Sequence, residues 1–154
     1  MIQRLQTVWL SISAFLAAFL CSGHILNFSD NSGNDLFLSF SGIFRSSGNS
    51  VTLLQGSIPV AVLLIAICAL SVTAIFLFKR RKLQLKMTAA IIILAFCLTI
   101  SLVLYLITVI RIFGAELVPG YKMVLPLLII IFTFLAYRGI KKDDDLVKSY
   151  DRLR

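Results

Sequence analysis

The sequence predicts an all-α membrane protein: a four-transmembrane-helix bundle with a small extracytoplasmic β-hairpin and a short cytoplasmic C-terminal helix. Three observations predict it. Hydrophobic residues make up 59% of the 154 and charged residues only 14%, against about 25% charged in a soluble domain. The apolar residues gather into four uncharged runs rather than spreading at amphipathic spacing. The basic residues concentrate in alternate connections between those runs, as they do beside a membrane. The length leaves room for a single integral membrane domain, residues 1–154.

The runs set the elements in order. Leu5–Cys21, Ile58–Phe78, Met87–Ile110 and Met123–Tyr137 carry no charge. They predict spans at about 5–22, 58–78, 87–110 and 123–140, since a helix crosses the hydrocarbon with about 20 residues, range about 17–25. Lipid offers no partner to backbone polar groups, so runs rich in Ile and Val become helices all the same. The first run exceeds an ordinary signal-peptide core and no firm small-residue cleavage site follows it, which favours a retained span. Pro59 and Pro126 stand near helix starts, where a missing N–H costs nothing.

Residues 23–57 form the long outer connection. Within "DLFLSFSGIFR", Leu36, Leu38 and Phe40 fall on one face and Phe37, Ser39, Ser41 and Ile43 on the other. "SSGNS" then supplies turn residues before "VTLL", so a hairpin resting on the helix ends is predicted. "NFSDNSGND" reads as a flexible polar stretch and lacks the acidic spacing and closing Glu of a calcium loop. "RIFGAELVPGYK" is a short connection ending in a Pro-Gly turn.

Orientation follows from charge. Twelve of the fifteen Lys and Arg residues lie before the first span, in the loop "KRRKLQLK" or in the tail; Arg45, Arg111 and Lys122 lie on the other side. Both termini are therefore expected in the cytoplasm. Lys79, Arg80, Arg81, Lys82 and Lys86 are read as contacts to anionic lipid headgroups, each contributing about 1 kcal/mol near a charged surface. The net charge of +8 thus comes from topology. The basic loop has no interleaved aromatics, so nucleic acid is not an expected partner.

The tail, residues 141–154, ends "KKDDDLVKSYDRLR". Carboxylates first and basic residues last suit the dipole of a new helix. Leu146, Tyr150 and Leu153 recur at helical spacing and form a candidate docking face, either for the loop "KRRKLQLK" or for another protein.

Chemistry is sparse. Intramembrane ionisable groups mark transport or proton relay, and none falls at mid-span. His24, Arg111 and Glu116 flank the outer ends of spans and are candidate outer-interface polar groups. One His without a second ligand makes a poor metal site. Cys21, Cys68 and Cys97 are scattered, with no paired spacing. No nucleophile stands with a base, and no cofactor motif occurs, so catalytic, cofactor and metal residues are all expected to be absent. Small residues at Ser11, Ala14 and Ala18, and at Ala66, Ala69 and Thr73, suggest close helix approach.

Three stretches carry a resemblance: "MIQRLQT", "KRRKLQLK" and "AYRGIKKDDDLVKSYDRLR". With these the chain resembles domain of unknown function 4293, a bacterial family found chiefly in Bacteroidota. Arg138, Ile140, Lys142, Asp143, Leu146, Val147, Ser149, Asp151, Arg152, Leu153 and Arg154 match the family's tail pattern. The resemblance implies a four-span inner-membrane protein and supplies no activity. The expected function is a non-enzymatic accessory or assembly subunit of an inner-membrane complex, working beside a membrane-protein partner or a second copy. The alternative is a small transporter or a lipid- or quinone-binding protein.

Overall fold

The computed structural model describes residues 3–29, 35–47, 50–77 and 80–152. Among these residues four α-helices are present: α1 (Gln3–Cys21), α2 (Ile58–Phe76), α3 (Arg81–Phe113) and α4 (Leu125–Arg152). Five strands accompany them: β1 (His24–Ser29), β2 (Asp35–Ser39), β3 (Gly42–Ser47), β4 (Ser50–Gly56) and β5 (Glu116–Val118). The expectation of an all-α bundle with a hairpin is therefore corrected. The strands form one antiparallel sheet in the order β4-β3-β2-β1-β5.

The number of crossing helices is corrected too. Among the described residues, three helices are long and apolar enough to span a membrane: Ile58–Phe76, Arg81–Phe113 and Tyr121–Leu146. The apolar stretch described in α1, Gln6–Cys21, is shorter. A crossing helix needs about 17–25 residues.

The helices pack in a closed ring, with α1 and α3 each lying against both α2 and α4. One rule of spacing builds it. The buried positions are 6, 10, 13, 17 and 20 in α1 and 60, 64, 67, 71 and 74 in α2. In α3 they begin 84, 88, 91, 95, 98 and 102, and in α4 they include 129, 133, 136, 140 and 143. Steps of four and three alternate throughout, averaging the 3.5-residue period that keeps one seam facing inward as helices wind about each other. Ser13, Ala17, Ser71, Ala74, Ala95 and Ala136 are fully or almost fully buried along these seams. They allow close approach at the positions the packing selects. The small residues singled out from spacing alone sit one register off: Ser11, Ala18, Ala69 and Thr73 are exposed. Trp9 of α1 stacks on Phe132 of α4, with ring centroids 5.5 Å apart.

The sheet closes one end of the ring. Register pairs Leu26 with Leu38, Phe28 with Leu36 and Leu38 with Ile43, and all five side chains are buried in the same core as the helix seams. The alternation read in β2 holds, with Leu36 and Leu38 in and Phe37 half-out. Phe40, however, lies beyond the strand in the turn, and Ile43 crosses to the Leu side. Strand β1 was hidden inside a stretch read as polar, where Phe28 is in fact buried. It pairs with β5, a strand of only three residues too short to announce itself. Ser57 fixes the sheet to α2: its Oγ donates to the carbonyls of Ser39 and Phe40 at 3.2 and 3.0 Å, and its N–H to that of Ser41 at 3.2 Å.

Both long helices continue past their apolar runs. Arg81–Phe113 makes α3 33 residues long, roughly 50 Å at about 1.5 Å per residue, well beyond a hydrocarbon core of about 30 Å. Most of "KRRKLQLK" is thus its first two turns rather than a loop. Helix α4 runs unbroken for 28 residues. The tail is not a separate helix, and Asp143–Asp145 lie in a helix interior, where the helix-start dipole benefit does not apply.

Candidate functional site: a polar clasp and an apolar sheet edge

At the end opposite the sheet, three of the four seams finish on polar side chains. Gln6 opens the α1 seam, Gln84 opens that of α3 and Asp143 extends that of α4. The Gln6 Nε2 donates to Asp143 Oδ2 at 2.6 Å. Arg81 Nη1 donates to the Asp143 carbonyl oxygen at 3.3 Å. Gln84 Nε2 donates to the Ala74 carbonyl at 3.1 Å, satisfying one of the acceptors that every helix leaves open in its last turn. Gly139 makes room for this arrangement. A Cβ there would meet Gln6 Cγ at 2.9 Å. Gly139 and Asp143, four residues apart, share a helix face, so Gln6 lies across the glycine and reaches the carboxylate.

This clasp joins the three stretches that carried the family resemblance, since Gln6, Arg81 with Gln84, and Gly139 with Asp143 each come from one of them. The sequence reading weighs the tail's apolar stripe, reads Arg81 as a headgroup contact and Asp143 as a helix-start carboxylate, and gives Gln6, Gln84 and Gly139 no role. Gln6 and Gln84 fall on the four-three spacing of the seams, a signal that was available. Of the tail's candidate face, Leu146 is exposed on α4; the side chain of Tyr150 and all of Leu153 lie outside the described residues, as does Lys79. Arg80, Lys82 and Lys86 are exposed around the start of α3, while Arg81 is turned onto α4.

At the sheet end, His24, Arg111 and Glu116 do not converge. His24 lies edge-on to Phe37, centroids 3.9 Å apart. Glu116 pairs in register with Ser29 at the far end of β1, roughly 16 Å away at about 3.3 Å per residue. Arg111 is exposed in the last turn of α3. The organising cation is Lys122, which the charge count treated only as an outer basic residue. It is buried; its Nζ donates to the Ser22 carbonyl and lies 4.9 Å from the centre of the Phe19 ring. Gly23 turns the chain beside it with φ +73°. A cation thus sits on the carbonyl end of α1, where the helix dipole favours it. Among the described residues no group of three metal-binding side chains occurs.

The sheet's outward face is apolar. Phe37 stacks on Phe44 at 5.5 Å, and Phe44 pairs in register with Leu53. Beyond it, every residue of β4 is exposed, with Val51 at 60% and Leu53 at 58%. This edge strand carries no charge and no proline, the devices by which edges are usually blunted.

Three helices long and apolar enough to span a membrane, packed with a fourth under a small sheet, fit the class of membrane proteins. The chain belongs to the family described as Domain of unknown function (DUF4293), whose model matches residues 2–153. No curated protein and no solved structure matches it.

Proposed function

We propose that the chain is a non-enzymatic accessory or assembly subunit of a bacterial inner-membrane complex. In this reading the three long apolar helices cross the bilayer, the clasp end is cytoplasmic and the sheet stands outside. The exposed apolar edge β4 carries the proposal. The outer rim of an edge strand flanked by Val51 and Leu53 is a template for strand addition by a partner. Charge asymmetry supports the orientation, because Arg80, Lys82, Lys86, Lys141 and Lys142 all emerge at the clasp end.

Mild-detergent purification of the full chain tests it. The expected result is a complex with one second membrane protein at fixed stoichiometry, lost in a V51K/L53K variant. Recovery of a lone monomer, identical for wild type and variant, overturns the proposal. Membrane-impermeant labelling of an introduced surface cysteine beside Lys142 tests the orientation, with protection in intact cells expected.

A further inference from the structure

Between α3 and α4, beneath β1, lies a half-enclosed cavity of about 270 Å³. Ile25, Leu26 and Leu102 form its buried wall; Val103, Met123 and Leu127, all exposed, stand at its mouth. The one polar group beyond the backbone is the Thr99 hydroxyl, which donates to the Ala95 carbonyl at 2.9 Å. An ordered water needs two to four polar partners, and a dry apolar cavity of about 150 Å³ already admits a benzene-sized guest. Water therefore has no hold here, while an empty space would forfeit packing contacts along its whole lining. The mouth opens between two helices long and apolar enough to span a membrane; on the membrane reading proposed above, on which this inference rests, the medium beside it is hydrocarbon.

We propose that this slot is a binding site for one hydrocarbon chain of a membrane lipid, entering sideways between α3 and α4 and ending against Ile25 and Leu26 of the sheet. The occupant is a flexible aliphatic chain, because the slot offers no free polar group to orient a ring or a head. The chain can be the acyl tail of a phospholipid or the isoprenoid tail of a lipid-soluble carrier, and both present the same chemistry to these residues. Hydrophobic transfer does not distinguish slot from bulk lipid. Selectivity rests on enclosure, because the chain is contacted on more sides here than on an open helix face.

The test uses the full chain in phosphatidylcholine vesicles with two probes, a phosphatidylcholine carrying a diazirine on its acyl tail and an isoprenoid carrying the same group. Photolabelling is mapped by peptide mass. The expected result is enrichment on Leu102, Leu106, Met123 and Leu127 over the exposed lipid-facing residues Phe15 and Ile65 by about fivefold or more, the ratio given by about 1 kcal/mol. Enrichment with the phosphatidylcholine probe identifies an acyl tail; enrichment with the isoprenoid probe alone identifies a carrier tail. Filling the slot with T99F/L106F should abolish the enrichment, whereas I65F on α2 should leave it unchanged. Uniform labelling of the wild type, or enrichment that survives T99F/L106F in a protein with wild-type helicity, overturns the proposal.

Discussion

The Nε2 of Gln6 donates to the Oδ2 of Asp143 at 2.6 Å, joining two residues 137 positions apart within the buried seams of α1 and α4. A charged acceptor and a short distance place this bond among the stronger kind. Replacing Gln6 by Leu removes a side-chain donor from a buried carboxylate. The expected loss is about 1–3 kcal/mol of unfolding free energy, measured by denaturant titration in detergent. A change below that range would show that the carboxylate finds other donors.

Gly139→Ala separates packing from propensity. Alanine favours a helix interior by about 1 kcal/mol over glycine, yet a Cβ at 139 would meet Gln6 Cγ at 2.9 Å. The single variant should destabilise, because Gln6 must leave Asp143. In a Gln6→Ala background the obstruction is gone, and the same change should stabilise by about 0.5–1 kcal/mol. The double-mutant cycle should therefore reverse sign.

Lys122→Met should cost about 1.5–3 kcal/mol, the usual contribution of a hydrogen bond to a charged group. Loss of the cation over Phe19 adds to this. Thermal unfolding in detergent measures the loss. Gly23 φ and the Ser22 carbonyl tie the effect to the turn from α1 into β1, so amide exchange should rise first in that turn.

Gly42→Ala should release the exposed edge without unfolding the ring. Its Cβ would meet the Gln55 carbonyl oxygen and Leu53 Cδ1, each at 2.6 Å, and a backbone atom cannot move aside as a side-chain tip does. Amide exchange of β4 should rise while that of α2 and α3 stays at the wild-type level. If β4 is the partner-binding strand, complex recovery should fall in the same variant.

Composition and run length sufficed to read the three longest apolar helices, because a bilayer leaves a long uncharged segment few alternatives. The sheet was read only in part. Leu36 and Leu38 alternate visibly, but β1 pairs with β2 on one side and with Glu116–Val118, some ninety residues away, on the other, and no local pattern encodes the second pairing. The unbroken course of α4 was misread because three consecutive aspartates look like a helix start. Asp143 instead occupies the next seam position after Ile140, where Gln6 satisfies it. Lys122 was invisible as a site because its acceptor, the Ser22 carbonyl, is backbone and leaves no mark in sequence.

The spacing of the clasp along the chain has a consequence for biosynthesis. Helix α1 is made before α4, and its polar partner follows 137 positions later. While α2 and α3 are being inserted, Gln6 waits without Asp143, and β1 waits without β5. The ring can close only once α4 has been made, so a chaperone or insertase that shelters α1 during that interval would act before the native contacts exist.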